Sequence, residues 1–388
     1  KSAHGSAGDT SAETVSFDDA SSAAGSTEQT GTATVEEGLG ESLRSVEEAF
    51  TNIARQFNNS TANREEGRYP IYVVMSCRGG LVKQYGEQSA LVIENDMKLL
   101  ATAVAIRQGW GARVFIVDDP NIRTELNISP VDAIDPWKIK LAIKDLDEAL
   151  ARKGEMIAAL LIVGGADVVP FHKLPNPTDD TDADVPSDNP YATLDSNYFV
   201  PEWPVGRLPG EAGQDAALLL AQIHRLTTYH NQNRRLTTAP SLVEIFFRLL
   251  DLFRKKASKT KKKTRKGSSG NFGITAAVWR KASTNVFSPI GGSGDLIMTP
   301  PDQAGTYPYQ RITSASLAYC NLHGVTDAPD WYGQRDSQES PAGPDYPIAL
   351  SPQDLPASGQ SPLVVFSEAC YGAYIFNKKE DESMALKF

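Results

Sequence analysis

Cysteine is scarce in this chain, which has three cysteines among 388 residues and no Cys-x-x-Cys pair. This scarcity excludes a disulfide scaffold and gives no zinc-site spacing, and it favours reduced thiols in a cytoplasmic setting. Long apolar runs are also missing, since no stretch approaches the roughly 18 consecutive apolar residues that a membrane-spanning helix needs. We therefore expect no membrane partner.

Positively charged residues are outnumbered by acidic ones, which gives a formal net charge of -10. This charge argues against a nucleic-acid partner. No HExxH, GxSxG, phosphate-loop or GxGxxG motif occurs, and the histidines show no metal-ligand spacing. These absences disfavour a zinc peptidase, a serine hydrolase and a nucleotide-binding domain, and they predict no cofactor. The exception to the low positive charge is a Lys/Arg-rich stretch, from which we predict a basic flexible insert at 254–270.

Alternating strand and helix patterns are what the sequence does contain. Residues 70–75, 112–117 and 157–163 read as buried strands, and 88–108 and 136–152 read as the helices between them. Strand, helix, strand, helix, strand is the order of a parallel sheet covered by helices. The chain is therefore predicted to be an α/β protein with a doubly wound, mostly parallel sheet flanked by helices.

The first 66 residues differ in composition from the rest, with much Ser, Ala, Gly, Thr and Glu. They are predicted to be a mostly disordered linker with an amphipathic helix near 41–57. One folded domain is expected from 67 to 388, with a truncated C-terminal end, because the last residues look like an unfinished helix. Apolar periodicity predicts further helices at 210–232, 242–253 and 272–287.

Two short apolar runs each end in a chemically capable residue. Residues 315–322 lead to His323, and 363–369 lead to Cys370, which lies 47 positions later. The carboxyl ends of parallel strands meet at one edge of a sheet, where ligands and reacting groups lie. A thiolate beside an imidazole is an activated nucleophile with its own general acid. The pair therefore predicts a cysteine peptidase.

The glycines near this pair suggest how an oxyanion would be held. We expect the backbone N–H groups of Gly324 and Cys370 to be the donors. A helix beginning near Tyr371 or Gly372 would place its positive end at the thiol. Taken singly, Cys370 and His323 would each be read as core residues, whereas together they favour catalysis. Cys77 and Cys320 are interpreted as structural.

The motifs around the pair resemble those of caspase-type cysteine peptidases. Glu368-Ala369-Cys370, with its histidine about 50 residues upstream, has the caspase spacing with Glu in place of Gln. Two further stretches, 187–195 and 205–209, resemble the gingipain family, and the likeness continues into 222–229. The resemblance implies a caspase-like sheet, a Cys-His dyad, endopeptidase activity and protein or peptide substrates.

By the same resemblance, Asp188 corresponds to the carboxylate that selects a basic residue before the scissile bond. A desolvated carboxylate selects guanidinium or ammonium through charge-assisted hydrogen bonds, so cleavage after Arg or Lys is expected. The alternative is that Asp188 caps the turn before Asn189-Pro190. If the pocket is selective for basic residues, the basic stretch 254–266 is a candidate autoprocessing site; the alternative is a solvated, unstructured insert.

Other interpretations stay open at this stage. The chain ends before the segment that normally walls the cleft in this clan, so association with a missing C-terminal segment or another chain is possible. A non-catalytic interaction or regulatory module of a larger protein is therefore the alternative function. A cluster of carboxylates could belong to a solvated loop or, as the minor alternative, could bind calcium. The cluster consists of Asp179, Asp180, Asp182 and Asp184.

Overall fold

The computed structural model describes most of the chain from residue 67 onward. The described residues are 67–131, 135–176, 182–195, 198, 200–232, 270–291, 296–306, 310–339, 342–355 and 364–388. The linker predicted at 1–66, the helix predicted at 242–253 and all but residue 270 of the basic insert lie outside them. None of the helices within these ranges is long and apolar enough to span a membrane.

Thirteen strands and seven α-helices make up the described part of the chain. The strands are β1 (Tyr69–Ser76), β2 (Gly111–Ile116), β3 (Glu155–Val163), β4 (His172–Pro175), β5 (Asp184–Ser187), β6 (Val205–Leu208), β7 (Phe272–Ala276), β8 (Leu296–Thr299), β9 (Leu317–Asn321), β10 (His323–Gly324), β11 (Trp331–Tyr332), β12 (Ile348–Leu350) and β13 (Val364–Ser367). The helices are α1 (Arg78–Ala105), α2 (Ile122–Leu126), α3 (Pro136–Ala151), α4 (Ala217–Gln232), α5 (Arg280–Gly291), α6 (Gln310–Thr313) and α7 (Met384–Lys387).

The first sheet is parallel and has the strand order β2-β1-β3-β6. Its central strands carry near-continuous apolar sequences, as parallel strands covered on both faces do. Helices α1 and α3 begin at side-chain caps: the Cys77 sulfur accepts from the Gly80 N–H, and Asp135 accepts from the Trp137 N–H. Pro136 in the first turn of α3 suits its fixed φ. The larger of the two cores lies around this sheet.

The second sheet is also parallel and has the strand order β13-β9-β7-β8. Ile274 of β7 and Cys320 of β9 are neighbours in register and are fully buried. A separate antiparallel sheet of β10, β11 and β12 continues from the end of β9. These elements share the second core, which also includes Met384 of α7.

The predicted α/β class with mostly parallel sheets flanked by helices is confirmed. The parallel strands are divided between two sheets, and β4–β5 and β10–β12 form two small antiparallel sheets. The three predicted strands of the first half match β1, β2 and β3 within about two residues. The predicted helix at 272–287 is wrong at its start, because Phe272–Ala276 is a strand and α5 begins at Arg280. A fully buried strand with few polar residues has no alternation to reveal it.

Candidate active site

His323 follows β9 at the carboxyl edge of the second sheet. Strand β9 ends at Asn321, the buried Leu322 turns the chain, and His323 then pairs with Tyr332 of β11. The backbone of His323 is therefore held by β9, which precedes it, and by its pairing with β11. The prediction that an apolar strand delivers this histidine at its end is confirmed.

Gln334, Trp279 and Tyr346 contact the His323 ring. Its Nε2 lies 2.9 Å from Oε1 of Gln334. The Trp279 ring is tilted against it with centroids 4.4 Å apart, and the edge of Tyr346 meets it at 5.5 Å. The imidazole is half-buried, and the Gln334 hydrogen bond and the two aromatic contacts help to hold it. Such contacts restrict the ring to a small range of orientations.

Cys370 follows β13, the strand beside β9. The register aligns Ser367 with Cys320, and the Glu368 N–H donates to the Cys320 carbonyl at 2.8 Å, which extends the pairing by one residue. The Glu368 carboxylate accepts from the Tyr319 hydroxyl at 2.9 Å. Cys370 is exposed, whereas β13 itself is an edge strand and not the buried strand predicted.

The two predicted motifs meet at Gly324 and Cys370. A Cβ added to Gly324 would lie 1.9 Å from the Cys370 carbonyl oxygen, so only glycine allows this backbone approach. Both residues line one small cleft, together with Trp331, Tyr371 and Lys378 among others. The structure thus brings together the motif segments that are far apart in sequence.

The chain turns sharply after Cys370. Tyr371 has a φ of 52°, in the left-handed region, and the Gly372 N–H donates to the Ala369 carbonyl at 2.9 Å. Residues 370–373 are a turn, so the condition considered for a helix dipole at the thiol, a helix beginning near Tyr371 or Gly372, is not met. The Tyr371 hydroxyl instead contacts the Asp182 carboxylate, which ties this turn to the acidic loop before β5.

The other two cysteines are buried. Burial raises the pKa of the Cys77 thiol to about 12 and that of Cys320 likewise to about 12. Cys77 donates to the Asp118 carboxylate at 3.2 Å, and Cys320 lies in the second core. Both thiols stay protonated and unreactive at neutral pH. Cys370 is the exposed thiol of the described residues.

Asp188 does not line this cleft, and its side chain pairs with Arg207 of the first sheet. Its carboxylate accepts two hydrogen bonds from Arg207, from Nε to Oδ2 at 2.9 Å and from Nη2 to Oδ1 at 2.6 Å. The side chains are 16% and 6% exposed, so the pair is nearly buried. The Asp188 side chain does not cap the short 3-10 helix at Asn189–Ala192.

The acidic cluster is only partly described. Asp179 and Asp180 lie outside the described residues, Asp182 contacts Tyr371, and Asp184 begins β5. Within the described ranges, no three His, Cys, Asp or Glu side chains come together as a metal site would require.

A larger groove of about 430 Å³ lies elsewhere, between α4 and the last residues of the chain. It includes Leu218 and Leu226 of α4 and Phe388, but neither His323 nor Cys370. The small cleft is lined by Cys370 and by Gly324, the residue after His323, but not by His323 itself. It is the cleft relevant to the predicted chemistry because it contains the thiol.

The fold is α/β, and it brings the His323-Gly324 segment and the exposed Cys370 to neighbouring strand ends of the second sheet. Residues 89–241 match the model of Peptidase family C25, the gingipain family. This match confirms the resemblance of the stretches 187–195, 205–209 and 222–229 to the gingipain family. It contains Asp188 and Arg207 and ends before His323 and Cys370.

Solved structures give more distant likenesses. The crystal structure of the Arg-specific cysteine proteinase gingipain R (RgpB) is 16% identical, with a TM-score of 0.47 over 84% of this chain and 59% of that one. The complex of Porphyromonas gingivalis RgpB pro- and mature domains is 17% identical, with a TM-score of 0.45 over 81% and 59%. This chain thus spans about three fifths of those chains. A comparison with curated proteins gives no match.

Sequence reasoning missed the residues that hold the histidine. Gln334 and Tyr346 come from the loops between β11 and β12, and Trp279 ends the short 3-10 helix after β7. Glutamine and aromatic side chains in loops carry no periodic signal and no motif. Only the fold places them around His323.

Proposed function

We propose that this chain is a cysteine endopeptidase in which Cys370 is the nucleophile and His323 the general acid and base. The observation that carries the proposal is the backbone contact between Gly324 and Cys370, which joins the two motifs at one cleft. The family match supports the same class of chemistry. Protein or peptide chains are the proposed substrates.

The proposed reaction begins with transfer of the Cys370 thiol proton to the His323 imidazole. The sulfur attacks the scissile carbonyl carbon, and the imidazolium gives the proton to the departing amine. Water, deprotonated by the same imidazole, then attacks the thioester and releases the carboxylate product, which restores the thiol. No cofactor enters these steps.

The oxyanion formed in both steps needs donors close to the attacked carbon. We propose the N–H groups of Gly324 and Cys370, because these residues contact each other and line the same cleft. Fixed backbone donors stabilise the developing charge without reorganising, an effect of about 10²–10³ in rate per donor.

Cleavage after Arg or Lys is the finer part of the proposal and depends on Asp188. Arg207 already occupies one lone pair on each carboxylate oxygen. A carboxylate has about four lone-pair sites, so further donors can still bind it. An Asp188→Asn variant should lose selectivity for Arg over Leu peptides if Asp188 receives the substrate. Equal loss for both peptides would assign Asp188 to the Arg207 pair alone.

Turnover of fluorogenic peptides ending in Arg, Lys, Asp or Leu under reducing conditions tests the proposal. We expect cleavage by the native protein and none by Cys370→Ala or His323→Ala variants with unchanged circular dichroism. Cys320→Ala is the control, since that thiol is buried away from the cleft. Absence of turnover with every peptide, in a folded protein, would favour a non-catalytic interaction module.

A further inference from the structure

Gln334 is a polar side chain that contacts the His323 ring, and sequence motifs do not mark it. The His323 Nε2 and the Gln334 Oε1 are 2.9 Å apart. An amide oxygen only accepts hydrogen bonds, so the ring nitrogen that faces it must carry the proton. In the neutral ring this leaves the lone pair on Nδ1.

We propose that Gln334 is a positioning residue for the dyad, which holds the His323 proton on Nε2 and so keeps Nδ1 as the base toward Cys370. This inference rests on the proposed peptidase function. When the thiol S–H bond breaks, the new N–H bond forms at Nδ1. The Nε2–H bond to Gln334 persists, so the ring need not turn during the reaction.

The Gln334 backbone is fixed from two sides. Its N–H donates to the Thr299 carbonyl at the end of β8 at 3.2 Å, and its carbonyl accepts from the Val278 N–H at 3.4 Å. The preceding Gly333 packs so closely on Thr299 that a Cβ there would lie 2.3 Å from the Thr299 carbonyl oxygen. The Gln334 backbone is therefore held between the end of β8 and the short 3-10 helix Ala277–Trp279.

The amide is oriented as well as anchored. The Gln334 Nε2 donates to the Tyr346 hydroxyl at 3.5 Å, which directs Oε1 toward the histidine. Tyr346 also meets the His323 ring edge-on. The neighbouring Arg335 is paired with Asp345, so its charge is balanced beside the amide. Gln334 thus presents a neutral acceptor to Nε2, with the charged neighbours of its own loop compensating each other.

A neutral acceptor and a carboxylate differ in what they do to the imidazolium. A carboxylate at the same place would attract the charged ring and delay its deprotonation to higher pH. The isosteric change Gln334→Glu keeps the shape and the acceptor, whereas Gln334→Leu keeps the size and removes the acceptor. The two variants therefore separate positioning from simple packing.

Two measurements test the inference on the whole chain. Peptide cleavage is followed as kcat and KM from pH 5 to pH 10. Alkylation by iodoacetamide, read by mass, reports the Cys370 thiolate without any substrate, because Cys77 and Cys320 are buried. His323→Ala defines alkylation without the imidazole, and Gln338→Leu, at an exposed glutamine of the same loop, is the matched control.

We expect Gln334→Leu to lower kcat about tenfold or more with little change in KM, since the base is misdirected. Its alkylation profile should move toward that of His323→Ala. Gln334→Glu should retain activity and shift the alkaline limb of its cleavage profile upward by about one pH unit. Gln338→Leu should match the native protein.

The inference is overturned if Gln334→Leu and Gln334→Glu keep native cleavage and alkylation profiles while His323→Ala changes both. That result leaves the peptidase proposal intact. If the native protein neither cleaves peptides nor alkylates differently from His323→Ala, the dyad itself fails and the role of Gln334 fails with it. Gln334→Glu keeps the test decisive even if Gln334→Leu does not fold.

Discussion

Arg207 and Asp188 form a two-point ion pair that joins the end of β6 to the turn after β5. The remaining guanidinium nitrogen, Nη1, donates to the carbonyls of Gly164, Gly165 and Val169 at 2.8, 3.2 and 2.8 Å. Arg207 therefore links the segments after β3 and β5 at the carboxyl edge of the first sheet. This gives a structural reason for the Gly-Arg stretch that resembles the gingipain family.

Replacing Arg207 by Ala should destabilise the fold strongly. The change removes the Arg207 donors from a nearly buried carboxylate and from the carbonyls of Gly164 and Val169, and losing one partner of a buried pair costs about 3–5 kcal/mol. Urea unfolding followed by fluorescence measures the loss. Glu339→Ala is the control, because Glu339 pairs with Arg280 at half-exposed positions and such pairs contribute about 0–1 kcal/mol. Equal losses of unfolding free energy in the two variants would contradict a special stabilising role for Arg207.

Gly324→Ala should abolish the proposed cleavage. A methyl group has no room beside the Cys370 carbonyl, so the two motif segments must separate and the proposed oxyanion donors must move. We expect kcat to fall by at least about 10². Peptide turnover at saturating substrate measures it.

Gly206→Ala is the matched control for that change, because a Cβ at Gly206 meets nothing within 4 Å. It should leave turnover close to native. Native turnover in Gly324→Ala would show that the backbone contact between the motifs is not needed for catalysis.

The sequence predicts the features that leave a local pattern and misses those that depend on contacts between distant segments. The strand-helix alternation of 69–163 was readable because each strand is a continuous apolar run and each helix has a periodic apolar face. His323 and Cys370 were readable from their positions after apolar runs. The strand at Phe272 was not, since a short buried run resembles a buried helix. The roles of Gln334 and Arg207 could not be predicted, because they depend on contacts between loops that are distant in sequence.

His172 should make the protein less stable in acid. Its side chain is buried between the rings of Trp137 and Tyr191, with centroids 4.6 and 4.5 Å away. Burial, together with the nearby Lys140 charge, lowers the pKa of His172 to about 4 from an ordinary 6.5, and Asp135 only partly offsets this. The fold therefore favours the neutral ring, and the stabilisation is fully present above the unfolded-state pKa.

As the pH falls from about 6.5 to about 4, the unfolded chain binds a proton at His172 that the folded chain resists. This should remove on the order of 2–3 kcal/mol of stability. A His172→Phe variant keeps an aromatic ring and lacks the titration, so its unfolding free energy should fall less over this range. Urea unfolding at several pH values compares the two proteins. Parallel curves would mean that the ring is protonated as easily in the folded as in the unfolded state.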